Sequence, residues 1–396
     1  MNPHRAEEAP RTDAVQLEVH GPRQLAEVLP YLLGYYPDDS LVLIAVYDSG
    51  RRFGWRLRLD IPDSPERWDE ASREVAECLA DAGSAGERPP DGAVLYCCRE
   101  PKGGGTGRQV MERLRPLVDH LRVSCGMLDV PIYEAVCLSQ GLCWSYTCSD
   151  RECCPAEGVP QGRSGHSVVA AVAASAGVRV RGSLRELEAR LAPFRHELVA
   201  SQELALVQAQ NAWMRKMIPE GGSESVKQET LALVRELLDR FRSSSPWKDE
   251  ARSAPEASPT SGSRYRADDS YDDGLLSCEE AARLIVGLQD QPVRDAAGTW
   301  VGPGDAPAAL RLWRALARRC VGGFTSHAPT LLSLAGWVSW NLGDIPAAQV
   351  AVQYALRRDP GHRLARLVHL ACNTGAPPTA EMTLPAPRDG AERERL

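Results

Sequence analysis

Few features of this 396-residue chain point to a membrane or to a familiar catalyst. No apolar run approaches the roughly 20 residues that span a bilayer. The opening MNPHRAEEAPRTDA lacks the apolar core of a secretory signal. Both absences lead us to expect a cytosolic protein, whose 12 cysteines would be reduced thiols or metal ligands rather than structural disulfides. Lysine is scarce: only Lys102, Lys216, Lys227 and Lys248 stand among 46 basic residues. An arginine excess beside abundant Ala, Gly and Pro reads as GC-rich coding rather than phosphate recognition. The formal net charge of −7 disfavours a general nucleic-acid surface. A GxSxG nucleophile elbow and an HExxH helix are both missing. So are the Walker and GxGxxG phosphate loops. The nearest stretch, KGGGTGR at 102–108, has its lysine ahead of the glycines and is expected to be an exposed loop.

What is present is ordinary globular composition, 43% hydrophobic and 25% charged, with length for two cores. Residues 1–13 read as a flexible tail. Over 14–182, strand patterns at 15–19, 41–47, 55–60, 93–98 and 132–138 alternate with helical patterns starting near 22, 65 and 108. The run LVLIAVY at 41–47 is continuous, as a strand buried on both faces would be. LCWSYTC pairs back on the preceding strand through Ser139-Gln140-Gly141. This predicts an α/β domain with a mixed sheet and flanking helices. A helical extension follows at 183–242, opened by a Ser183/Glu186 capping box. Residues 243–275 are rich in Ser, Pro and charge and are expected to be a disordered linker or long loop. A second capping box, Ser277/Glu280, opens an all-α domain at 276–375, and 376–396 is a Pro-rich tail.

Within that helical domain, residues 332–360 fit a tetratricopeptide-like hairpin. Gly336 and Gly343 fall at its small positions, Ala348 and Ala355 at its inner face, and Pro360 at its close. One clear copy is present, whereas a solenoid normally needs three or more.

The densest chemistry is GLCWSYTCSDRECCPAEGVP at 141–160, with Cys148, Cys153 and Cys154 close together. A structural zinc site wants four Cys or His ligands, so His166, Cys143 or Cys125 is the candidate fourth, and zinc is the candidate cofactor. The alternative is that these cysteines are small buried hydrophobes at a turn. A second constellation is Asp38, Asp39 and Ser40 ahead of a buried strand, with Arg58 and Asp60 sharing one face of the next. Paired carboxylates there suit a divalent metal or general-base role, and the same residues are good turn formers. His362 and His369 share a helical face but read as packing features.

Three stretches together, LPYLLGYYPDDSLVLIAV (29–46), WSYTCSDRECCPAEGVP (144–160) and AGWVSWNLGDIPAAQVAVQYALRRDPGHRLARL (335–367), resemble the domain of unknown function 4192 family of actinobacterial cytosolic proteins. The resemblance implies an identity and a compartment, and supplies no activity or catalytic residue. Three functions are therefore weighed. The first is a non-enzymatic protein binding a protein partner or ligand, with the helical domain as the surface. The second is a hydrolase acting on a phosphorylated or nucleotide-like substrate through Asp38, Asp39 and Arg58. The third is a zinc-stabilised structural protein.

Overall fold

The computed structural model describes residues 21–374 except 49–51, 82–87, 163–167, 176–177, 179, 195–197, 220–221 and 245–260, with backbone alone for 261–266 and 374. The strand expected at 15–19 and both expected tails lie outside the described residues. The chain divides into two compact units, residues 1–34 with 39–179, and residues 35–38 with 180–396.

The first unit contains, in order, α1 (Gly21–Leu33), β1 (Ser40–Tyr47), β2 (Arg52–Asp60), α2 (Trp68–Ala80), β3 (Gly92–Cys98), α3 (Gly107–Met127), β4 (Ile132–Ser139), β5 (Leu142–Ser145), β6 (Val159–Pro160) and α4 (Val168–Ser175). Its strands form one sheet in the order β2-β1-β3-β4-β5-β6. Only β3 and β4 are parallel, joined through α3, and the other neighbours are antiparallel. The sheet is therefore mixed, as the alternating strand and helix patterns imply.

Position explains strand composition. β1 lies between β2 and β3 and is buried at every residue, so it can be uniformly apolar. β2 is the edge strand and stays partly exposed along its length. Successive side chains alternate between faces. Leu41, Leu43, Ala45 and Tyr47 join Leu95, Cys97, Cys137 and Trp144 in a core with Leu79 of α2 and Leu117 and Leu121 of α3. Val42, Ile44 and Cys143 have the opposite parity, on the face where α1 packs against β4, β5 and α4. The Gly-rich loop ends as a helix start: Thr106 and Gln109 form a capping box for α3.

The second unit is helical: α5 (Leu184–Ala189), α6 (Leu198–Met217), α7 (Gly222–Ser243), α8 (Ser261–Gly274), α9 (Cys278–Gly287), α10 (Gln291–Ala297), α11 (Ala306–Arg318), α12 (Ala328–Asn341), α13 (Ile345–Leu356) and α14 (Arg363–Thr374). Both expected capping boxes form, Ser183 with Glu186 at α5 and Ser277 with Glu280 at α9. Glu280 also takes a two-pronged hydrogen bond from Arg240 of α7, which holds its carboxyl down at about 2. α12 is buried from Ala328 to Trp340 and packs on α11, α13 and α14. A Cβ at Gly336 would stand 2.5 Å from Val352 Cγ1, so glycine sets how closely α12 and α13 approach. No described helix is long and apolar enough to cross a membrane.

One expectation needs correction. Residues 243–275 are not one continuous linker, because 261–274 form α8. The composition there lacks apolar mass, and the helix is held by charge instead. Asp269, Asp272 and Asp273 share one face of α8 at helical spacing. Arg318 of α11 donates to Asp273 at 2.8 and 3.1 Å and to the Asp269 carbonyl at 3.2 Å. Arg311, two turns earlier, holds Asp272 at 2.6 Å, and Arg190 grips Asp269 with two 3.0 Å bonds.

Candidate functional site

The cysteine-rich segment is a loop closed at its base by strand pairing. β4 turns into β5 through Gln140-Gly141, both at positive φ, which pairs Ser139 with Leu142. After β5 the chain leaves the sheet and returns as β6, where Cys143 pairs with Val159 and Leu142 with Pro160.

Side chains then shape the loop. The Ser145 hydroxyl donates to Glu134 Oε1 at 2.7 Å and accepts the amides of Thr147 (3.1 Å) and Cys148 (2.8 Å). The Thr147 hydroxyl donates to the same Glu134 oxygen. Tyr146 is fixed by its N–H on the Ala135 carbonyl and its hydroxyl on the Met111 carbonyl. This pins the backbone of Cys148 to β4. Asp150 then bends the chain: its carboxylate accepts the Glu152 amide at 2.9 Å and its carbonyl accepts the Cys154 amide at 2.8 Å. The bend returns Cys153 and Cys154 towards Cys148. Downstream, the Trp144 indole donates to the Ala156 carbonyl at 3.2 Å. Gly158 sits at φ +86°, where a Cβ would meet the Trp144 ring at 2.6 Å.

As a result the Sγ atoms of Cys148, Cys153 and Cys154 all lie within 4.8 Å of one another, and Cys153 and Cys154 are 3.7 Å apart. Sulfurs bound at about 2.3 Å to a tetrahedral ion stand roughly 3.8 Å from each other. The donor set therefore fits a metal, and adjacency in sequence does not keep Cys153 and Cys154 from converging. Cys153 is exposed while Cys148 and Cys154 are half-buried, so an ion can reach them. Burial, and then hydrogen bonding with Cys148 and Cys153, pushes the Cys154 thiol up. A nucleophilic cysteine needs the opposite shift.

Two of the three expected fourth ligands, Cys125 and Cys143, do not join this group. Cys125, on α3, lies in the core between that helix and the sheet, and Cys143 lies on the opposite sheet face near α1. Burial pushes both thiols up to about 11, as for small packed hydrophobes. His166 lies outside the described residues.

The Asp38–Asp60 constellation is divided among separate partners. Arg58 donates to the Ser40 hydroxyl at 2.8 Å and pairs with Asp60, so these three meet. Asp39 stands 3.7 Å from Arg99, which also holds Asp63. Asp38 accepts the Arg185 amide at 3.0 Å, in the first turn of α5. His362 meets Ser333 and His369 meets Asn373, with no shared third ligand among the described residues. Glu134, Ser145 and Thr147, which organise the thiol loop, carried no sequence signal of their own beyond lying in or beside strands.

A mixed sheet with a strand-closed thiol loop, together with an all-helical unit, defines the architecture. A family model described as a domain of unknown function (DUF4192) matches residues 22–379. The chain belongs to the DUF4192 family. No curated protein and no solved structure matches it.

Proposed function

We propose that this is a non-enzymatic binding protein whose sheet unit is braced by one zinc ion held by Cys148, Cys153 and Cys154. The observation that carries the reading is the convergence of three Sγ atoms within 4.8 Å. Three thiolates satisfy most of a tetrahedral shell and leave one position for water or another donor. Thiolate ligands favour zinc over hard cations. A reducing cytoplasm, as in an actinobacterial cell, keeps the ligands available.

Zinc replaces thiol protons. A thiol whose pKa is raised is protonated at neutral pH, so binding releases protons and weakens on acidification, by about tenfold per pH unit for each proton released. Protein purified with reductant is expected to carry about one zinc per chain by elemental analysis. Cys148→Ser and Cys153→Ser should fall to background, and lowering pH should strip the metal. Full zinc retention in both variants would remove the reading.

The helical unit supplies the partner surface, with α12–α13 as a tetratricopeptide-like hairpin. Leu367 and Leu370 of α14, which packs on both helices, are 43% and 61% exposed and mark where a partner would dock. The double variant Leu367→Glu/Leu370→Glu is expected to lose partners captured by the unmodified chain. Capture that is unchanged in this variant would exclude that surface.

A further inference from the structure

The three clustered sulfurs differ in what can reach them. Cys153 is exposed, whereas Cys148 and Cys154 are half-buried. Of the 12 cysteines only Cys78 shares that exposure. Burial, and then the carboxylates of Asp81, Glu74 and Glu77, push the Cys78 thiol up, which keeps it in the unreactive protonated form. A metal-bound thiol is deprotonated outright, and the thiolate is the form a peroxide oxidises. With zinc in the cluster, oxidation therefore selects Cys153.

Geometry also selects the sulfur that answers it. Cys153 and Cys154 have their Sγ atoms 3.7 Å apart. Adjacent Cα atoms, however, lie about 3.8 Å apart across a trans peptide, short of the roughly 4.4–6.8 Å a disulfide takes. Cys148 is not adjacent, and its Sγ lies within 4.8 Å of that of Cys153. The chain from 148 to 154 belongs to no strand or helix, so the two sulfurs can close to about 2 Å without breaking a ladder.

We propose that Cys153 is an oxidation site through which hydrogen peroxide ejects the zinc, a role that rests on the metal reading of this cluster. The Cys153 thiolate attacks one peroxide oxygen, the O–O bond breaks and hydroxide leaves, so Cys153 becomes a sulfenic acid. The Cys148 thiolate then attacks that sulfur, an S–S bond replaces the S–O bond, and a second hydroxide leaves. Both hydroxides take protons from solvent. Two thiolates and one peroxide thus give one disulfide and two waters. The ion is left with Cys154 alone and dissociates, because metal affinity depends on deprotonated ligands. A thiol reductant reverses the step by exchange.

The test adds hydrogen peroxide to the full, zinc-loaded chain freed of reductant, with a chromogenic zinc chelator present and peptide mass mapping afterwards. Release of about one zinc per chain, a Cys148–Cys153 cross-link, a reduced Cys78 and renewed zinc binding after dithiothreitol are expected. Cys154→Ser should form the same cross-link, and Cys148→Ser should form none in this segment. Zinc retained under peroxide, release without the cross-link, or a bond between Cys153 and Cys154 overturns the proposal. A chain that carries no zinc before peroxide is added removes the metal reading instead, and the release with it.

Discussion

Replacing Arg318 with alanine is expected to destabilise the helical unit by about 3–5 kcal/mol, the loss typical when one partner of a buried ion pair is removed. The Arg318 side chain is only 5% exposed. It satisfies the Asp273 carboxylate and the carbonyls of Asp269 and Arg190 together. Alanine leaves all of these without their donor. Arg318→Lys should recover little, because an ammonium cannot reproduce the fork. Arg318→Met combined with Asp273→Leu should recover much of the loss, since an apolar pair needs no counter-charge. Urea unfolding measures the differences, and hydrogen exchange should localise the first opening to α8. A cost below about 1 kcal/mol for Arg318→Ala would show that α8 is held by something other than these pairs.

Gly158→Ala is expected to cost about 2–4 kcal/mol, combining strain at positive φ with overpacking. The new Cβ would lie 2.6 Å from Cε2 of Trp144. The ring cannot yield easily, because it is buried in the sheet core and its N–H is fixed on Ala156. The strain falls on the return strand β6, which closes the thiol loop, so zinc affinity should drop by about 10–100-fold, as for other losses of supporting structure around a metal. A Gly158→Ala protein with unchanged stability and metal affinity would disconnect the loop closure from the site.

How far these features could be read from the chain differs by element. β1 was legible because a strand buried on both faces is uniformly apolar. The capping boxes at Ser183 and Ser277 were legible because their chemistry is local, within four residues. α8 was not, because its stabilising partners are arginines 39 to 79 residues away in sequence and its own composition resembles a linker. In hindsight the signal was a matched spacing: aspartates at 269, 272 and 273 against arginines at 311 and 318.

The site shows the same division. Cys148, Cys153 and Cys154 stood out by density alone, but their convergence depends on the Asp150 bend and on β6, a strand of two residues with no readable period. Burial beside α1 keeps Cys143 out of the cluster, and helix packing places Cys125 in the core. Asp38 and Asp39 look like a carboxylate pair in sequence. Asp39 adopts φ 42°, and the two side chains take different partners.

The most direct measurement is zinc-edge X-ray absorption on the purified, reduced full chain. Three sulfur neighbours at about 2.3 Å, with one lighter donor completing the shell, are expected, and Cys154→Ser should lower the sulfur count by one. A shell of nitrogen and oxygen alone, or a sulfur count unaffected by Cys154→Ser, would contradict a metal bound by this cysteine cluster.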